Sequence, residues 1–258
     1  MAEVEVVTSK TDGGVRSIAR SVEVLQLFDV EHPTRTLREI VASTALPKTT
    51  VVRMIATLES LGLLVDQRDS TYSLGAGFLR WVDLAQSLWT VGADARRIMA
   101  RLVDECGETV NIYIRQDCSR VSIAQVEGTA TVRSVVTTGV PYSLDTGASA
   151  KILLIDAPES VLRQLFEGRA GGERTELANE VAAAADAGYA VTHGERELGA
   201  SAVAAPVVST GGRVIAALSM GGPTSRFTPD RVRRYVDAVT AAAAEINRVG
   251  LGSVEAFL

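Results

Sequence analysis

Lys48, Thr49, Thr50 and Arg53 place long cations and small hydroxyls at a spacing that a helix gathers on one side. Cations reach phosphate oxygens, and guanidinium and hydroxyl donors match base edges, so the chemistry on offer is contact with a nucleic-acid duplex. A solvated helix face carries the same residue types, and for any one of these residues that reading stays open.

A second set of polar groups is scattered over the later part of the chain. The run Asp145-Thr146-Gly147-Ala148-Ser149-Ala150-Lys151 leads from a loop into a helix start, where free N–H groups and the helix dipole favour an anion such as a carboxylate. Residues 192–201 form a charged loop before a strand, and residues 219–223 a strand end. Turns chosen for their glycines explain each run equally well. Taken together they make Asn111, Ser149, Thr192, Glu195, Ser201 and Ser219 the candidate lining of a small polar ligand pocket. Catalysis is not expected. There is no GxSxG, no phosphate-binding Walker loop and no GxGxxG after a strand, and Lys151, His193, Glu195 and Asp145 make an acid/base set only on paper. Cys106 and Cys118 show no metal spacing and His32 and His193 stand apart, so neither a metal nor a cofactor is expected.

The elements that must position the first set lie in residues 36–64. Thr36 and Glu39 have the spacing of a capping box, and Leu37, Ile40 and Val41 give the helix that follows an apolar face. Ala45-Leu46-Pro47 ends it, because proline disfavours the α region at Leu46 yet suits the first turn of a new helix. In that second helix Val51, Met54, Ile55, Leu58 and Leu61 recur at helical spacing and are expected to face inward. Lys48, Thr49, Thr50, Arg53 and Thr57 take the opposite side. Gly62 caps it, and residues 63–65 and 72–74 flank a polar turn as a hairpin would. Two helices across a short turn followed by a hairpin match a helix-turn-helix with a wing.

Upstream, Val15, Ile18, Val22, Leu25 and Phe28 predict a support helix with an inward apolar stripe. On its polar side Arg16 and Arg20 are either phosphate contacts or solvated. Downstream, residues 74–107 read as helical with an interruption near residues 90–92. Bulky residues such as Trp81 and Leu88 exceed what a small winged domain can cover, which suggests a linker that packs on a partner chain. From residue 108 strands are expected at 109–114, 121–126, 131–136, 189–193, 202–208 and 214–221. Helices are expected at 148–155, 158–166, 177–187 and from Thr228-Pro229 through Ile246. Strands with helices set to their sides give an α+β domain rather than a regular βαβ fold.

A chain of 258 residues is long enough for two cores. Its formal net charge of -5 argues against a surface that embraces nucleic acid everywhere. Between residues 34 and 58, however, Arg35, Arg38, Lys48 and Arg53 face only Glu39, a local excess of three positive charges. A basic reading module on a larger acidic domain fits both numbers. The first residues lack the cationic start and apolar core of a signal peptide, no run has the length of a membrane span, and unpaired cysteines suit a reducing cytoplasm.

The segments SIARSVEVLQLF, TLREIVASTALPKTTVVRMIATLESLGLL and YSLGAGFL resemble the winged helix-turn-helix of the IclR family of bacterial transcriptional regulators. TGASAKILLIDAPE, GYAVTHGERELGASAVAAPV and VIAALSMGGPTSRFT resemble that family's effector-binding domain. The resemblance implies a GAF-like effector domain, a homodimer or tetramer, a double-stranded DNA operator and a small-molecule effector, often a small carboxylate or aromatic metabolite. It places DNA contacts at Lys48, Thr49, Thr50 and Arg53, with the wing around Arg68; Arg38 joins them from the basic window. The family's Ser-Gly-Lys effector loop corresponds to Ser149-Ala150-Lys151, and an acidic residue and a cysteine found in members that bind short oxoacids correspond to Thr192 and Ala202. The expected organisation is a flexible lead at 1–14, a winged helix-turn-helix at 15–75, a linker and dimerisation helix at 76–106, a GAF-like domain at 107–250 and a tail at 251–258. The expected protein is a cytoplasmic, ligand-responsive regulator and not an enzyme. The alternative is an effector-independent DNA-binding protein whose second domain serves only oligomerisation.

Overall fold

The computed structural model describes residues 15–167 and 171–258. The expected lead at 1–14 lies outside them. The chain divides between Leu88 and Trp89 into two compact units.

The first unit opens with α1 (Arg16–Leu25), the short strand β1 (Thr34–Thr36) and α2 (Leu37–Thr44). Thr36 closes the expected capping box, its hydroxyl oxygen accepting from the Glu39 N–H while the Glu39 carboxylate accepts from the Thr36 N–H at 2.7 Å. α2 ends on Ala45, held left-handed at φ 50°, and Pro47 is the cap of α3 (Lys48–Ser60). β2 (Leu64–Asp66) and β3 (Thr71–Leu74) form the hairpin, and β1 adds to the free side of β3 to make a three-stranded sheet. Val24, Phe28, Ile40, Val51, Ile55, Leu58, Leu63 and Leu64 fill the core.

Two expectations about facing fail here. Leu61 is 64% exposed rather than inward. α3 stops at Ser60, so Leu61 is its cap and the helical period no longer aims it. Likewise Val15, Ile18 and Val22 are exposed; of the expected stripe Phe28 is in the core and Leu25 packs against it, and Val24 is buried where the stripe did not place it. A unit this small buries only one face of α1. The displaced stripe borders an open apolar groove of about 1320 Å³ with Leu61, Phe78 and Trp81. α4 (Gly77–Leu88) completes the unit and buries none of its residues.

The second unit begins with α5 (Ala93–Cys106), so residues 76–106 form two helices with the break at 89–92. α5 turns Ala95, Ile98, Met99, Leu102 and Val103 into the core of this unit. An antiparallel sheet follows, in the order β6 (Pro141–Ser143), β5 (Ser119–Val126), β4 (Thr109–Gln116), β9 (Val214–Pro223), β8 (Ala200–Val208), β7 (Ala190–His193). Its two faces are sorted by strand alternation. Ile112, Ile114, Val203, Ala205, Leu218 and Met220 meet α5 and α9 (Pro229–Val249) on one side. Tyr113, Ala204 and Ala217 meet α6 (Ala148–Leu154), α7 (Glu159–Phe166) and α8 (Gly171–Ala187) on the other.

The strand expected at 131–136 does not form. β6 pairs with β5 only at residues 119–121, and alongside the rest of β5 the segment makes no strand ladder. It crosses as a loop instead, pinned by the Val136 N–H donating to the Gln125 side chain at 3.0 Å. Both thiols are half-buried and burial raises their pKa, that of Cys106 to about 11, so both stay protonated at neutral pH.

Candidate DNA-reading face and effector pocket

α3 is held from behind by Val51, Ile55 and Leu58, which leaves Lys48, Thr49 and Arg53 exposed on its outer side. Thr50 is half-buried, and both it and Arg53 border the apolar groove. Arg38 is exposed on α2. Arg35, counted in the basic window, is tethered: its Nε donates to the Leu27 carbonyl at 3.1 Å and ties β1 to the end of α1. Arg68 stands exposed in the hairpin turn with φ 66°. The turn's acids are engaged in building it. Asp66 accepts from the Arg68 N–H at 2.9 Å, and Asp69 accepts from the Thr71 hydroxyl and N–H, hydrogen bonds that hold its pKa below the usual carboxylate value.

In the second unit β4, β9, β8 and β7 lie side by side, and their pairing brings distant residues to one place. Asn111 pairs with Ser219, and Ala202 pairs with both Thr192 and Gly221. Over this patch stands the start of α6, and the two enclose a small cavity of about 50 Å³. Asn111, Ser149, Thr192, Ser201 and Ser219 all border it and all are buried. Their hydroxyls differ in availability. Thr192 Oγ1 accepts the Ala148 N–H at 3.1 Å, and Ser201 Oγ bonds His193 Nδ1 and Thr224 Oγ1, each at 2.8 Å. Ser149 and Ser219 make no side-chain hydrogen bond among the described residues.

Glu195 does not border the cavity. Its carboxylate accepts the Gly147 N–H at 2.9 Å and the Lys151 ammonium at 2.6 Å, with Glu180 3.2 Å away on the same ammonium. The expectation of an anion held by the loop into α6 is therefore met by the chain's own side chain. A ligand anion finds that position filled. The paper acid/base set does not assemble either, since His193 turns to Ser201 and Asp145 to the Ser143 hydroxyl.

Sequence reasoning missed three residues of this pocket, Tyr113, Arg120 and Ser134, and named Arg196 only within the charged loop 192–201. Arg120 is 3% exposed and its Nη1 donates to the Ser143 carbonyl at 2.6 Å and to the Thr146 carbonyl. Its guanidinium lies 5.8 Å from the Tyr113 ring centre. Gly147, at φ 89°, passes directly over it, and a Cβ there would sit 3.4 Å from Arg120 Nη2. Arg196 donates to Ser134 Oγ at 3.2 Å and lies over the Tyr142 ring. The overlooked signal was Arg120 itself, a cation inside the apolar alternation of β5.

Comparison with known proteins decides the family. Residues 17–68 match the IclR helix-turn-helix domain, and residues 86–248 match the bacterial transcriptional regulator IclR C-terminal domain. The chain belongs to the IclR family. It is 31% identical over 241 residues to the HTH-type transcriptional regulator KipR of Bacillus subtilis (strain 168), covering 90% of this chain and 96% of that protein. Among solved structures, an IclR-family transcriptional regulator from Rhodococcus sp. is 48% identical with a TM-score of 0.63, over 95% of this chain and 98% of that one. An IclR homologue from Microbacterium hydrocarbonoxydans, complexed with 4-hydroxybenzoate, shares the fold at 22% identity and a TM-score of 0.71, over 93% and 99% of the two chains. An N-terminal helix-turn-helix and a C-terminal α+β sheet domain are thus the IclR architecture, and named relatives are transcriptional regulators and repressors rather than enzymes.

Proposed function

We propose that this IclR-family chain binds a double-stranded operator as a homodimer or tetramer in the cytoplasm, and that a small metabolite in the cavity beneath α6 changes that binding. One observation supports the DNA half most directly. Lys48, Thr49 and Arg53 are exposed on a helix whose opposite side is locked into the core, flanked by Arg38 and by Arg68 in the wing. Asn111, Ser149, Thr192, Ser201 and Ser219 line the effector pocket on this reading, and Glu195 shapes it by holding Gly147 and Lys151. The complex of the Microbacterium homologue supports a small ligand, either a small carboxylate or an aromatic metabolite.

Association is supported by apolar surface that the first unit leaves uncovered: Ile18 on α1, Leu61 after α3, and Leu79, Trp81 and Leu84 on α4. A recognition face with so few cations releases few counterions, so one copy binds DNA weakly and two copies are needed. Recognition helices of a dimer meet half-sites about 34 Å apart. An effector that shifts their spacing with a coupling of roughly 1–3 kcal/mol changes operator affinity about 5- to 150-fold.

Fluorescence anisotropy with DNA from the gene's own upstream region tests the whole reading. Saturable binding whose midpoint moves on adding a metabolite supports it. Saturable binding that no metabolite changes favours an effector-independent DNA-binding protein. A companion variant, Leu84→Glu, places a charge on the uncovered face of α4. It should shift sedimentation toward the monomer and weaken operator binding at least tenfold, with the circular-dichroism spectrum unchanged; a dimer of normal affinity would remove α4 from the interface.

A further inference from the structure

We propose that Gly75 and Gly77 are positioning residues for DNA recognition: they lock the start of α4 against the end of α3, and this joint sets the half-site separation that a dimer accepts. The proposal rests on α3 being the reading helix and α4 the contact between copies.

The joint is built from backbone. α3 ends in a Schellman turn, with the Gly62 N–H donating to the Glu59 carbonyl at 2.9 Å, the Leu63 N–H to the Leu58 carbonyl at 2.8 Å, and Gly62 left-handed at φ 70°. The carbonyls of this turn are then taken by the start of α4. Leu63 accepts from the Gly75 N–H at 2.8 Å, and Gly62 accepts from the Gly77 N–H at 3.1 Å. The two segments run so close that a Cβ on Gly75 would sit 2.1 Å from the Gly62 oxygen, and one on Gly77 2.7 Å from the same atom. Neither Gly75 nor Gly77 has a positive φ, so both positions demand the absence of a side chain rather than a special backbone conformation.

Little else aims α4. It buries none of its residues, and among the described residues only Phe78 of this helix packs against the core of the first unit. Leu79, Trp81, Leu84 and Leu88 are exposed. A helix with so little side-chain packing takes its direction from its first turn. Its 12 residues reach about 18 Å, so a tilt of about 10° at the joint moves the far end by about 3 Å. That is close to one base-pair step of DNA, ~3.4 Å. Two copies joined through α4 therefore hold their recognition helices at a separation that the joint fixes to about one base pair.

The test uses the full chain and the operator that footprinting defines in the gene's own upstream region, read by fluorescence anisotropy. Duplexes carry its half-sites at the native separation and with one or two base pairs added or removed, and one duplex carries a single half-site. The parent should bind the native separation at least tenfold more tightly than separations changed by two base pairs. Gly75→Ala drives a methyl group into the Gly62 carbonyl and should open the joint. Gly77→Ala is the second variant, because its clash is milder and alanine is the better helix former. It should keep the parent's circular-dichroism spectrum, its sedimentation and, within about twofold, its affinity for the single half-site. Its preferred separation should move by one or two base pairs, or its preference should flatten to less than about threefold. A loss of stability alone weakens binding to every duplex alike and leaves the preferred separation in place. A Gly77→Ala variant with the parental preference, at full or reduced affinity, would overturn the joint's role while leaving the operator reading intact. A parent that binds none of the upstream DNA would instead overturn the operator reading, and the joint's role with it.

Discussion

Arg53→Ala should weaken operator binding by about 10- to 100-fold, the equivalent of roughly 1–3 kcal/mol, and leave the melting temperature of the protein unchanged. Arg53 is exposed, and its side chain makes no ion pair or hydrogen bond among the described residues. Its backbone carbonyl accepts from the Thr57 hydroxyl at 2.9 Å, and alanine keeps that carbonyl. The loss should therefore appear in DNA binding alone. A salt titration separates two roles. A phosphate contact lowers the slope of affinity against salt by about one and weakens all sequences alike, whereas a base contact relaxes preference at one position. An unchanged anisotropy titration would mean that α3 presents some other face to DNA.

The second large effect lies in stability. Arg226→Ala should destabilise the second unit by roughly 3–5 kcal/mol. Glu108 is 1% exposed, and Arg226 grips it at both oxygens, Nε to Oε1 at 2.5 Å and Nη2 to Oε2 at 2.6 Å. The same guanidinium also donates to the Val132 carbonyl, so it fastens the loop that carries Ser134 over the pocket. Removing it strands a carboxylate where, among the described residues, no other cation stands at ion-pair distance and the Tyr235 hydroxyl lies 3.4 Å away. For a unit of this size the midpoint of thermal unfolding should fall by on the order of 10 °C. Adding Glu108→Gln should recover part of the loss, because a neutral amide is cheaper to bury than an unpaired charge. If the single variant melts within a degree or two of the parent, Glu108 is reached by water and the ion pair holds little.

Gly222 shows how tightly that ion pair is built in. A Cβ at this position would lie 2.1 Å from Glu108 Oε2. The sequence shows a Gly-Gly pair at a strand end and nothing of the carboxylate beneath it. Residues 108, 222 and 226 come together only because β4 pairs with β9 and the chain then turns back.

Local signals were legible wherever the chain alone creates the interaction. The Thr36–Glu39 box, the break at Pro47, the exposed Lys48, Thr49 and Arg53, and the wing all depend on residues a few positions apart. Most strands and helices of the second unit could be read for the same reason. The segment 131–136 could not, because its apolar alternation satisfies a strand while its Val136 N–H goes to the Gln125 side chain instead of a ladder partner. Leu61 and Ile18 misled for a related reason, since periodicity says which residues share a face and not which face the unit has enough core to bury.

Sequence by itself determined the two-domain plan, the helix-turn-helix with its wing, and the family. The first two are written in short-range patterns of polarity, capping and turn residues that need no tertiary context, and the family in the segments that resemble it. Tertiary structure alone decided the chemistry of the pocket. It placed Glu195 across the start of α6, turned the Ser201 hydroxyl toward His193 and Thr224, and buried Arg120 with no carboxylate partner among the described residues. The physical reason is that burial and charge pairing depend on strands brought together across the sheet, and no residue's desolvation or partner can be read before those strands are placed.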